Sequence, residues 1–161
     1  MSLRALHVAK VAGISGSENH LLLLLPALRE RGHDVRLLML HEGEPGAAEL
    51  ADRLEHDGVP VGRIRMRASI DPLVLGKLFR SIRRARPDVV HTHLVHGDAY
   101  GLPAGVLTRV RHRFSTKHGF NEFRDGRVFA LGDRAVSSLA QTQIAISQGL
   151  AEYLAEREGF K

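Results

Sequence analysis

An open, mainly parallel α/β sheet with helices on both faces is the fold this sequence predicts, and three observations predict it. Short apolar runs alternate six times with longer amphipathic stretches, the pattern of successive βα units. The chain has 161 residues, of which 43% are hydrophobic and 25% charged, enough for one domain with a core of its own. No internal repeat, linker or low-complexity segment breaks the alternation. Right-handed crossovers make such a chain a doubly wound, Rossmann-like three-layer sandwich of about six strands.

Each element follows in order. Residues 3–11 read as a first strand that ends at Gly13, and residues 16–31 as a helix stopped by Gly32. Residues 35–40 form a second strand. In residues 47–57, Ala47, Leu50, Ala51 and Leu54 recur at helical spacing. Residues 59–66 alternate loosely as a third strand. A helix over 72–85 cannot pass Pro87. Residues 89–93 are a fourth strand, followed by a helix over about 100–108. A fifth strand at 111–117, a helix at 128–139, a sixth strand at 143–147 and a last helix from Gly149 towards Arg157 complete the pattern.

Composition excludes several chemistries. Without a cysteine there is no disulfide framework, thiolate metal site, iron–sulfur cluster or cysteine nucleophile. The longest aliphatic run, Leu21 to Leu25, falls far short of the roughly 20 apolar residues of a membrane span. The N-terminus shows no signal-peptide pattern, so a cytoplasmic location is expected. The net charge of +5 is local. Arg63, Arg65, Arg67, Lys77, Arg80, Arg83, Arg84 and Arg86 face only Asp71 in that segment, which is +7 and leaves the rest at −2. A local patch suits an anionic surface better than a nucleic acid, and no aromatic–basic interleaving or helix-turn-helix spacing supports nucleic-acid recognition.

Ligands of doubly wound sheets bind beyond the carboxyl ends of the strands, so the residues after each strand carry the functional question. After the first strand, Gly13, Gly16 and Ser17 lie where a helix N-terminus can meet a phosphate. The loop lacks the spacing of a dinucleotide fingerprint or a P-loop, and Ser15 with Glu18 has the spacing of a capping box. A phosphate contact and a plain tight turn both remain open. After the fourth strand, His91, His93, His96 and Asp98 could hold a metal, contact an organic substrate through hydrogen bonds, or serve structure. After the fifth strand, His118 beside Gly119 can face the crevice as a hydrogen-bond donor or an acid/base group, and Asn121 can read a hydroxyl. Lys77, Arg80, Arg83 and Arg84 recur along one helix; the face they form is either solvated or docks on an anionic membrane.

Four segments together resemble a known family. Ala27 to Val35 (ALRERGHDV), Arg86 to His93 (RPDVVHTH), Ser115 to Gly119 (STKHG), and Asp133 to Val136 followed by Ile144 to Ser147 resemble, in order, the N-terminal domain of family-four glycosyltransferases. Gly13 to Glu18 is similar to that family's glycine-rich first loop, though it reads Ser15-Gly16-Ser17-Glu18 in place of the commoner Gly-Gly-Ala-Glu. The resemblance implies one half of a GT-B fold. Residues 1–161 would be a single acceptor-side domain, and a C-terminal nucleotide-sugar-binding domain would be absent from it. It implies a retaining transfer from a nucleotide-sugar donor to a glycan or lipid-linked acceptor, of the kind used in polysaccharide and lipopolysaccharide biosynthesis, without a divalent metal or other cofactor. Under it, His118 contacts the donor sugar as the catalytic-site histidine. Gly13, Gly16 and Ser17 lie near the donor diphosphate. His93, His96, Asp98 and Asn121 line the acceptor side. The chain alone would be inactive, and its basic helix would attach peripherally to the inner face of the cell membrane. Two other readings stand beside it: a metal-dependent hydrolase using His91, His93, His96 and Asp98, and a non-catalytic Rossmann-like binding module.

Overall fold

The computed structural model describes residues 2–119 and 127–158. Six strands alternate with six helices: β1 (Arg4–Lys10), α1 (Gly16–Glu30), β2 (Asp34–His41), α2 (Pro45–His56), β3 (Val61–Arg65), α3 (Pro72–Ala85), β4 (Val89–His93), α4 (Leu94–Leu107), β5 (His112–Lys117), α5 (Arg127–Ser137), β6 (Thr142–Ala145) and α6 (Gln148–Glu158). The sheet order is β3-β2-β1-β4-β5-β6, and each neighbouring pair is parallel. The strand order reverses at β1 and β4, which fixes the crevice between their carboxyl ends as the switch point.

Alternation along the strands feeds two cores. Leu6 and Val8 of β1, Leu38 and Leu40 of β2 and Val90 of β4 pack with Val74, Leu78 and Ile82 of α3 and Ala104 of α4. On the opposite face, Ala9, Val35, Leu37 and Met39 pack with Leu21 and Leu25 of α1 and Leu50, Ala51 and Leu54 of α2. Truncating one of these fully buried leucines to alanine costs about 2–5 kcal/mol. Helix α3 is delimited as its sequence suggests. Asp71 caps it by accepting from the Leu73 N–H at 3.0 Å, and Arg86 closes it in the left-handed region at φ 47°.

One element differs from its sequence expectation in a way that matters. Helix α4 begins at Leu94, directly after β4, and not near residue 100. Leu94 turns the chain in a single residue at φ 63°. Gly97 and Gly101 then let the helix lie against the sheet: a Cβ on Gly97 would stand 2.7 Å from the Val8 carbonyl oxygen, and one on Gly101 2.5 Å from Thr92 Cγ2. His96 and Asp98 are therefore helical and do not sit in a loop at the strand end. Among the described residues no helix is long and apolar enough to cross a membrane.

Candidate active site

The first loop and the ends of β4 and β5 meet at the switch point. Ser15 precedes α1, and the Glu18 carboxylate, almost fully buried, accepts from the Ser15 N–H at 3.1 Å and from the hydroxyls of Ser15 at 2.5 Å and Ser17 at 2.9 Å. This carboxylate holds the loop's shape and engages the Ser17 hydroxyl. The first turn of a helix leaves backbone N–H groups without intrahelical partners, and the positive end of its dipole favours an anion there.

The two loop glycines are not explained by the fold. Among the described residues, a Cβ on Gly13 or Gly16 would meet nothing within 4 Å, and neither has a positive φ, in contrast to Gly32, Gly43 and Gly58. Packing and backbone conformation would both accept alanine. Their bare surfaces leave the loop open to approach from outside. Gly46 is the opposite case, since its added Cβ would stand 2.6 Å from Gly13 Cα; α2 is pressed against the loop from behind.

Five histidines gather beside this loop. His7 lies opposite His91 in the β1–β4 register, and His93 follows two residues on along the same face. The His7 and His91 ring centroids are 4.8 Å apart, and those of His91 and His93 4.4 Å. His7 Nδ1 lies 2.9 Å from His93 Nε2, and His93 Nδ1 lies 3.1 Å from His118 Nε2. His91 Nε2 is 2.7 Å from Thr116 Oγ1. His20 of α1 brings its ring edge-on to His118, with centroids 5.4 Å apart. Burial holds His7 and His93 well below the ordinary imidazole range, with neighbouring imidazoles adding to the effect. The same causes bring His91 down to about 4, and burial lowers the half-buried His118.

His7, His91 and His93 each offer a ligand nitrogen, all within 4.8 Å of one another. The donor type suits zinc, but His7 Nδ1 and His93 Nε2 already stand 2.9 Å apart, at hydrogen-bonding distance. His7 and His93 are stacked at 17°, and His91 and His93 at 28°. The arrangement suits hydrogen bonding along a row of rings.

The sequence-predicted residues are placed as follows. His118 follows β5 directly and opens at the crevice beside the first loop. Asp98 departs from its expected place on the acceptor wall. It is wholly buried and bonded to Thr92 Oγ1, to Ser115 Oγ at 2.9 Å and to Lys117 Nζ at 2.5 Å. These partners alternate with the histidine face along β4 and β5, so Asp98 lies on the other side of the sheet from His91 and His93. His93 is also closed to solvent and lies beneath His118, without surface of its own. His96 is half-buried on α4, near the Lys10–Glu42 ion pair, with burial and Lys10 lowering its pKa. His91, His93, His96 and Asp98 thus do not converge on one metal. Asn121 lies outside the described residues. On α3, Arg80, Arg83 and Arg84 are exposed, and Lys77 Nζ donates to the Arg65 carbonyl at 3.1 Å. Sequence reasoning missed His7 and His20; a polar residue inside the apolar β1 run was the available sign for the first.

Comparisons with solved structures agree with this fold. The chain aligns with the solved structure of Anabaena HepE in complex with UDP at a TM-score of 0.76 and 16% identity, over 99% of this chain and 42% of that one. It aligns with the lipopolysaccharide outer core galactosyltransferase WaaB at 0.75 and 13%, over 99% and 43%. It aligns with UDP-GlcNAc 2-epimerase from Neisseria meningitidis bound to UDP-GlcNAc at 0.72 and 12%, over 99% and 44%. At these identities the likeness shows the fold, and the chain spans less than half the length of each structure. No curated protein sequence matches. The sequence profile of Glycosyltransferase Family 4 matches residues 14–161, and the chain belongs to that family, as one Rossmann-like half of a GT-B fold.

Proposed function

We propose that this domain forms the acceptor-side wall of a retaining glycosyltransferase, working with a nucleotide-sugar-binding domain of the same polypeptide. The observation that carries the reading is the pair of glycines at positions 13 and 16, which neither packing nor φ requires, beside a helix N-terminus and His118. An open loop of this kind admits a diphosphate to backbone N–H groups. Those groups stabilise the charge that develops as the nucleoside diphosphate departs, with no metal needed for that step. His118 then hydrogen-bonds a hydroxyl of the donor sugar and orients the anomeric carbon. His96, at the mouth of β1, faces the acceptor. That HepE was solved with UDP and with UDP and glucose supports a nucleotide-sugar donor. The name of WaaB supports a lipid-linked or polysaccharide acceptor and, with the exposed arginines of α3, a protein working in the cytoplasm against an anionic membrane face.

The epimerase neighbours favour a second reading on one observation: the same fold is found with bound UDP-GlcNAc in an enzyme named for epimerisation. Product analysis of the complete enzyme separates the two. A glycosylated acceptor appearing with free nucleoside diphosphate supports transfer, and an epimerised sugar overturns it.

A further inference from the structure

We infer that His93 is a positioning residue for His118: the row His7–His93–His118 holds His118 in one neutral tautomer, with Nε2–H turned inward and Nδ1 left as an acceptor for a donating hydroxyl in the crevice. The inference deepens the proposed function by naming what His118 offers its substrate, and it rests on that reading only for this consequence.

The argument is one of proton counting. Two N···N contacts link the three rings, His7 Nδ1 to His93 Nε2 at 2.9 Å and His93 Nδ1 to His118 Nε2 at 3.1 Å. Each contact is a hydrogen bond only if one proton lies in it. A neutral imidazole carries one N–H and one bare nitrogen, so the direction of one bond dictates the other. If His93 donates from Nε2 to His7, its Nδ1 is bare and must accept from His118 Nε2–H. If the row runs outward, all three rings carry Nδ1–H. The inward row gives all three the Nε2–H form that an unconstrained histidine side chain favours. Burial of His7 and His93 keeps a fixed charge off the row.

Among the described residues, the surroundings leave that choice to the three rings. His91, stacked on His93, has its Nε2 at Thr116 Oγ1. His20 meets His118 and His93 through ring contacts, with centroids 5.4 and 6.3 Å away. The Glu18 carboxylate accepts from Ser15 and Ser17. The consequence is chemical: a crevice His118 with a bare Nδ1 accepts a hydrogen bond from a sugar hydroxyl's O–H, and it cannot donate from that nitrogen to a carbonyl or phosphate oxygen.

The test is a two-bond ¹H–¹⁵N correlation spectrum of the chain labelled with ¹⁵N-histidine at neutral pH, with His118 assigned from the signals lost in His118→Gln. The expected spectrum shows one His118 tautomer, Nε2 protonated and Nδ1 bare. In His93→Phe that signature gives way to exchange between tautomers, and in His93→Gln it returns, because the amide oxygen can accept from Nε2–H. A wild-type His118 that carries Nδ1–H, or that already exchanges between tautomers, overturns the inference, and this holds even where His93→Phe fails to fold. The spectrum needs neither substrate nor turnover, so its failure leaves the transferase reading to be judged by product analysis.

Discussion

Lys117 Nζ lies 2.5 Å from Asp98 Oδ2, with both side chains closed to solvent, while the residue directly after β5, His118, opens at the crevice. The strand thus has a structural face and a chemical face one residue apart. Lys117 also donates to Ser137 Oγ at 2.8 Å, tying β5 to α5. Asp98→Ala should destabilise the fold by about 3–5 kcal/mol, because it takes the nearest carboxylate from a buried ammonium and leaves it the more distant Asp133 Oδ1 at 3.9 Å. Replacing Asp98 and Lys117 together with Leu and Met should cost less than the single change. Urea denaturation of the three proteins checks this. A fully stable Asp98→Ala with impaired acceptor use would return Asp98 to the acceptor wall.

Acid should weaken the fold in a defined window. His7, His93 and His91 all have pKa values lowered by burial, His91 from 6.5 to about 4. In the unfolded chain each takes up a proton near its ordinary pKa, while the native state holds it neutral. Below that point the unfolded state binds more protons, so stability falls as pH drops from about 6.5 towards 4 and is level above about 7. For His91 alone the full effect is on the order of 3 kcal/mol. Asp71 and Asp88, held low mainly by their hydrogen bonds, add a loss of the same sign only below the ordinary carboxylate range. Urea midpoints at pH 7.5, 6 and 4.5 read the slope, which His91→Gln should flatten. Equal stability at all three values would mean that these rings are not buried neutral.

The loop glycines should separate ligand from fold. Gly16→Ala lies at the start of α1 in open space and should leave stability unchanged or raise it by up to about 1 kcal/mol. It should nonetheless weaken donor use by the complete enzyme, and Gly13→Ala should do the same. Gly46→Ala, whose Cβ would stand 2.6 Å from backbone, should lower the melting temperature instead. If Gly13→Ala and Gly16→Ala leave donor KM and turnover unchanged, the open loop has no ligand.

The basic face of α3 should bind anionic vesicles weakly. Each Lys or Arg near such a surface contributes about 1 kcal/mol, and the effect fades within a Debye length of roughly 8 Å at physiological salt. Co-sedimentation with phosphatidylglycerol vesicles should therefore succeed in low salt, fail in several-hundred-millimolar salt by the same screening, and fail for a Lys77, Arg80, Arg83 and Arg84 to Gln variant. No wild-type binding even in low salt would leave this face simply solvated.

The sheet was legible because six apolar runs with intervening helical periodicity admit few other folds, and Gly32 and Pro87 mark helix boundaries. The start of α4 was not legible. Gly97 is an ordinary sign of a loop, and its value lies in the 2.7 Å approach to Val8, a distance between segments far apart in sequence. That His118 and the first loop stand at strand ends was legible because position after a strand is a local property. Asp98 was misplaced because Ser115 and Lys117 become its neighbours only when α4 packs on β5. His7 went unread for the same reason: its significance is its register with His91 across the switch point.

The most direct test of the whole account is product analysis, by mass spectrometry and NMR, of the complete enzyme incubated with nucleotide sugars and glycan or lipid-linked acceptors. The account predicts acceptor-dependent release of nucleoside diphosphate, retention of the anomeric configuration, and no transfer by the 161-residue chain alone. It also predicts a loss in His118→Ala of about 2–4 kcal/mol of transition-state stabilisation with a near-normal melting curve. Epimerised sugar without acceptor modification, or full activity in His118→Ala, would contradict it.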